Sequence, residues 1–124
     1  MPIARLIATV LDCPDPSVLG HFYAALTGGT VAFADAGWAQ VNGPEGAPIL
    51  ACQRVDGYQP PTWPAGPRPQ YLHLDFAVGD LDAAEPEVVA LGATKAEDQP
   101  TPEEFRVYLD PAGHPFCTVL LGAG

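Results

Sequence analysis

The 124-residue chain is poor in positive charge: five basic residues stand against fifteen acids, for a net charge of −10. A surface this acidic does not neutralise a phosphate backbone or an anionic bilayer, so no nucleic-acid partner and no membrane partner is expected. Long apolar runs are missing as well, and none approaches the roughly 20 residues of a membrane span. The opening MPIARLIATVLDCPD places one Arg before a short apolar run and then Asp and Pro, which is not the layout of a secretory leader. It reads as the first strand of a soluble cytoplasmic protein. Cysteine is scarce: Cys13, Cys52 and Cys117 are odd in number, widely spaced and form no CxxC pair. That excludes a disulfide framework and a zinc finger, and leaves three reduced, buried thiols as the expectation.

What is abundant is apolar and turn-forming. Hydrophobic residues make up 48% of the chain and charged ones only 16%, a globular composition, and the length suits one compact domain. The two halves echo each other. IATVLDCPDPSVLGHFYAALTGGT (7–30) and LHLDFAVGDLDAAEPEVVALGAT (72–94) each run apolar strand, acidic turn, amphipathic stretch, then Leu followed closely by Gly and Thr. A shift of 65 residues matches Asp15 with Asp80, and a shift of 67 sets PEGAPIL (44–50) on PAGHPFC (111–117). Echoes in the same order argue for duplication.

Each half has the same expected layout. A strand over 5–12 leads to a helix capped by Asp15 with Pro16 at its first position. Val18, Leu19, Phe22 and Leu26 share one helical face, and Gly28-Gly29 ends it. Strands near 30–34, 37–42 and 48–55 follow. The second half repeats this with a strand over 70–78, a helix over about 82–91 and strands near 94–97, 105–109 and 115–121. Pro86 fits that helix poorly, so a late start capped by Asp82, or a kink, is expected. The fold class is therefore α+β, two tandem βαβββ modules (about 4–55 and 70–122) joined by a proline-rich linker, 56–69. Five prolines between 55 and 70 make the linker stiff. Such a segment also holds an aromatic ring over a cavity at little entropic cost, which makes Tyr58 and Trp63 candidate ligand contacts.

The strand–Asp-Pro–helix start ending in FYAALTGG, the stretch LHLDFAVGDLDAA, the segment YQPPTWP and DPAGHPFC together resemble the vicinal oxygen chelate superfamily, and within it the small glyoxalase-like and bleomycin-resistance-type proteins. The resemblance spans nearly the whole chain. It implies a single glyoxalase-like domain over 1–124 whose modules curl mixed sheets into open half-barrels, and it implies a homodimer. Metal enzymes of that superfamily take one ligand from the first and one from the last strand of each module. Carried over through the internal repeat, those positions are Ala8, Leu50, His73 and Cys117. Ala and Leu offer no lone pair, and His73 with Cys117 makes only two protein ligands, with Asp75 nearby. No cofactor is expected, and a divalent metal is disfavoured.

Strand alternation extends the cavity face from His73 to Asp75 and Ala77. It adds Ala8, Val10 and Asp12, then Leu50, Cys52 and Arg54, then Cys117, Val119 and Leu121. Such a lining is mostly apolar with a few convergent polar groups. His73 and Asp75 are candidate ligand contacts and candidate acid–base residues, with Asp75 fixing the imidazole tautomer. The competing view is an ordinary polar pair on a solvated sheet face. Arg54 is a candidate anchor for a carboxylate or phosphate, or a plain surface Arg at a strand end. Cys117 is a candidate ligand contact, or a small core residue. His21 and His114 are expected to be structural. Taken together, these residues lead to a metal-independent small-molecule-binding protein that sequesters a drug or metabolite. The alternative is a glyoxalase-like lyase, isomerase or dioxygenase using His73 as acid/base or as a remnant metal ligand. An interaction module without a small ligand is a third reading.

Overall fold

The computed structural model describes residues 2–120, so Leu121 lies outside the described residues. Two compact units divide the chain at Tyr58/Gln59. The first contains β1 (Thr9–Cys13), α1 (Pro16–Thr27), β2 (Thr30–Ala34), β3 (Trp38–Asn42) and β4 (Pro48–Arg54). The second contains β5 (Leu74–Val78), α2 (Leu81–Ala90), β6 (Thr94–Lys95), β7 (Phe105–Leu109) and β8 (Pro115–Leu120). Their sheets have the same topology, β1-β4-β3-β2 and β5-β8-β7-β6, each with its first strand parallel to its last. This is the twice-repeated βαβββ arrangement read from the repeat. No helix among the described residues is long and apolar enough to cross a membrane.

The helices begin where short acidic side chains free their starts. The Asp15 carboxylate accepts from the backbone N–H of Ser17 and Val18, and Pro16 occupies a position whose N–H has no helical partner anyway. Asp80 caps α2 by accepting from Ala83 N at 3.0 Å. The expected Asp82 cap is thus corrected: the helix starts one residue earlier than expected, and Asp82 instead pairs with Arg106. Pro86 sits inside α2, where it leaves the Asp82 carbonyl without its usual donor, yet the helix continues to Ala90. In α1, Leu19, Phe22 and Tyr23 are buried, whereas Val18 is exposed and leaves the face assigned to it.

Helix–sheet contact fixes which strand face is core. A methyl group at Gly20 would meet Ala39 and Val41 of β3, so those residues face α1. Their cross-strand partners Cys52 and Leu50 share that face. In the second unit the helix-side face carries Phe116, with the Tyr108 ring stacked 5.6 Å away and Phe76 packed edge-on at 5.8 Å. Arg106 extends from that face of β7 to Asp82 and Glu85 of α2, and Lys95 also reaches Glu85 at 3.0 Å. These two cations hold the Glu85 carboxyl below its ordinary range, Lys95 most strongly, against the opposing effect of desolvation.

Gly28 takes the left-handed conformation that closes α1, with φ 75°. Gly29 is required for a different reason: a Cβ there would run into the Asn42 backbone, which cannot move aside like a flexible side chain. Gly29→Ala is expected to destabilise the fold by about 2 kcal/mol or more. Ala at Gly46, where a Cβ meets nothing, is expected to cost only its backbone strain, about 1 kcal/mol. Urea midpoints of the two variants compare them directly.

Candidate functional site

The second unit carries a pocket of about 290 Å³ on the sheet face turned away from α2. Register explains its lining. β5 pairs with β8 so that Asp75 lies beside Cys117 and Ala77 beside Val119, and β7 pairs Val107 with Cys117 and Phe105 with Val119. Side chains alternate, so these residues share one face while Phe116 and Thr118 share the other. Ala96, Val107 and Cys117 form a buried cluster, with Trp63, Phe105 and Val119 packed against it. The resemblance places His73 and Cys117 on this face and alternation from them adds Asp75 and Val119; all four line the pocket.

Trp63 lines it too. Its segment is not a bare tether, because Thr62 bridges to Pro69, Thr62 N donates to Arg68 O, and Arg68 Nε donates to Pro60 O. The indole N–H donates to Asp98 O at 3.2 Å, which sets the ring's orientation against the cluster. Gln70, Phe105, Val107, Pro100 and Pro115 also line the pocket and were not singled out from the sequence. Antiparallel pairing with Cys117 and Val119 carries a signal for Val107 and Phe105. Gln70 precedes the ladder, beyond the reach of alternation.

His73 Nε2 lies 3.1 Å from Asp75 Oδ1, with side-chain exposures of 42% and 59%. The Cys117 thiol donates to the same carboxylate. Burial, then the Asp75 charge and this hydrogen bond, push the Cys117 thiol up to about 11. At neutral pH it is therefore a thiol, not a nucleophile.

The first unit departs from the expected lining. A bulge between Val41 and Asn42 pairs Val41 with Leu50 and Asn42 with Pro48, so Ile49 is an extra residue in β4. In the second unit Tyr108 pairs with Phe116 and Leu109 with Pro115, without an insertion. One extra residue reverses every later side chain. Leu50, Cys52 and Arg54 consequently share the α1-facing side of their strand, and the position equivalent to Cys117 is Ala51, not Leu50. The guanidinium of Arg54 pairs with Asp56 at 3.2 Å and is half exposed. Val10 and Asp12 keep the expected face. Tyr58 ends the first unit, its N–H donating to Val55 O, and neither it nor Arg54 lines the pocket of the second unit. His21 binds its own helix through Ser17 O at 2.8 Å, and His114 donates its N–H to Asp110 in the turn before β8.

The donor atoms of His73, Asp75 and Cys117 lie within 4.8 Å of one another, one each of nitrogen, oxygen and sulfur. Two ligands were expected; the position of Asp75 makes three. Such a mixed set suits a borderline ion such as zinc in an open three-ligand site, and does not suit an oxygen-coordinated hard ion. The equivalent first-unit positions, Ala8 and Ala51, add no donor.

Twin mixed βαβββ sheets with a pocket on the open face define the class, the glyoxalase/bleomycin resistance/dioxygenase fold of the vicinal oxygen chelate superfamily. The chain belongs to the Glyoxalase-like domain family, whose model matches residues 8–119. None of the curated proteins matches it. Among solved structures it is similar to the genomically encoded fosfomycin resistance protein FosX from Listeria monocytogenes, at 16% identity and TM-score 0.68, covering 98% of this chain and 97% of that one. A possible glyoxalase from Bacillus cereus gives 14% identity and TM-score 0.67, covering 93% and 97%. A glyoxylase/bleomycin resistance protein/dioxygenase domain from Frankia sp. EAN1pec gives 20% and 0.65, covering 96% and 98%. At these identities the likeness carries the fold alone.

Alkylation of Cys117 by iodoacetamide, followed by peptide mass spectrometry, is expected to rise through pH of about 11. In Asp75→Asn the midpoint moves down, because the carboxylate that disfavours the thiolate is gone, but stays above an ordinary thiol because burial remains. An unchanged midpoint in Asp75→Asn separates Cys117 from Asp75.

Proposed function

We propose that the protein binds a small organic molecule in the pocket of its second unit without a metal, and that it acts by sequestering a drug or metabolite. The observation that carries this reading is the His73–Asp75 pair standing on an otherwise apolar pocket of ligand size. Apolar walls supply burial and the polar pair supplies orientation. The positions equivalent to His73 and Cys117 in the first module are alanines, so the four-ligand pattern implied by the superfamily is incomplete in this chain. A homodimer and a cytoplasmic location belong to the same proposal; the exposed Ile3, Leu6 and Ile7 offer apolar surface for self-association. Light scattering on the purified protein checks the oligomer.

One observation favours a second reading, catalysis. The three donors of His73, Asp75 and Cys117 are close enough to converge on one ion. A bound zinc ion would supply Lewis-acid polarisation and a more acidic water. Without metal, Asp75 accepting from the Nε2–H of His73 leaves Nδ1 with its lone pair, a general base held in one tautomer.

Thermal-shift screening of small molecules in EDTA is expected to find compounds that raise Tm saturably, with Val119→Trp, which fills the pocket, abolishing the shift. Elemental analysis after loading with zinc, nickel, manganese and iron(II) is expected to show substoichiometric metal. Stoichiometric metal that is lost in His73→Ala would instead establish the second reading.

A further inference from the structure

The pocket has an uneven balance of hydrogen-bonding capacity. Its donors are largely spent inside the protein: the Trp63 indole N–H on Asp98 O, the Cys117 thiol on Asp75, and one imidazole nitrogen on the same carboxylate. Its acceptors are not. The Gln70 side-chain oxygen is buried and has no hydrogen-bond partner. The Asp75 carboxylate has room for about four hydrogen bonds and receives two of these within the cluster. An unpartnered buried carbonyl carries an uncompensated desolvation cost, which a ligand donor recovers. Among the described residues lining the pocket there is no Lys or Arg, so nothing of fixed positive charge meets an anion.

We propose that the pocket takes an organic cation, a small primary ammonium on an aromatic or branched apolar body, with the ammonium shared between Asp75 and the Gln70 oxygen. This deepens, and rests on, the reading of the pocket as a small-molecule site. An ammonium is a donor-only group, which matches a site rich in free acceptors. Its charge is attracted by Asp75 directly and by the field of a chain of net charge −10. Trp63 and Phe105 present rings on the same pocket, and an aromatic face attracts a cation. Val107 and Val119 receive the apolar body. Gln70 acts as the specificity-determining residue, since its buried oxygen discriminates against any ligand without an N–H or O–H at that point.

The test uses the full chain in EDTA and three probes of one shape: benzylammonium, benzyl alcohol and benzoate, titrated calorimetrically. Benzylammonium is expected to bind saturably and about tenfold or more tightly than benzyl alcohol, with benzoate not binding. Asp75→Asn weakens benzylammonium about tenfold and benzyl alcohol by much less, because only the ammonium loses a charge partner, while Gln70→Glu, which adds a second carboxylate, tightens benzylammonium. Circular dichroism of each variant verifies the fold. Equal or tighter binding of benzyl alcohol or benzoate overturns the cation assignment and leaves the pocket as a small-molecule site. Binding of benzylammonium unaffected by Asp75→Asn also overturns it. No saturable binding of any probe, with Val119→Trp indistinguishable from the parent chain, removes both the cation and the pocket reading.

Discussion

The parallel pairing of β5 with β8 sets Asp75 beside Cys117, and the rest of the second unit depends on that register. It turns Phe76, Tyr108 and Phe116 to the helix side, where three rings form the interior. It also turns His73, Asp75 and Cys117 to the open face. A slip of β5 by one residue would put the Asp75 carboxylate under the helix and the Phe76 ring in water. Burying an unpaired carboxylate and exposing large apolar groups are both costly, so the hydrophobic effect enforces the chemistry of the open face without any direct selection by the pocket itself.

Once that face is set, Asp75 becomes its electrostatic centre. It accepts from His73 and from Cys117, adds to the burial that keeps the thiol protonated, and keeps part of its hydrogen-bonding capacity. The proline-rich segment contributes rigidity. Its internal hydrogen bonds and the indole bond to Asp98 hold Trp63 against the cluster formed around Val107 and Cys117. A small molecule bound there, as proposed, would meet a wall that is already ordered and would lose less freedom in immobilising it.

Much of this was legible in the residues. The echo between the halves carried the repeated sheet topology, because each copy must repeat its own turns and helix caps. Asp15 as cap and Pro16 as first helical residue follow from backbone chemistry alone. In the second module the resemblance put His73 and Cys117 on one face, and alternation from them reached Asp75 and Val119, which share that face because β5, β7 and β8 pair without interruption. In the first module the same rule misplaced Leu50, Cys52 and Arg54. A bulge at Ile49 adds one residue, and nothing in PIL marks it, because a bulge is a property of the pairing between two strands.

By itself, then, the sequence determined the βαβββ repeat, the helix starts, the apolar interior and the presence of an imidazole and a carboxylate on one strand face. These are local properties, set by composition, turn chemistry and side-chain alternation. Only the tertiary structure decided the register of the first module, brought Cys117 to Asp75 to make a third donor, and left the Gln70 oxygen buried without a partner. Each of those depends on which distant backbone lies alongside, a long-range contact that no periodicity in the chain encodes.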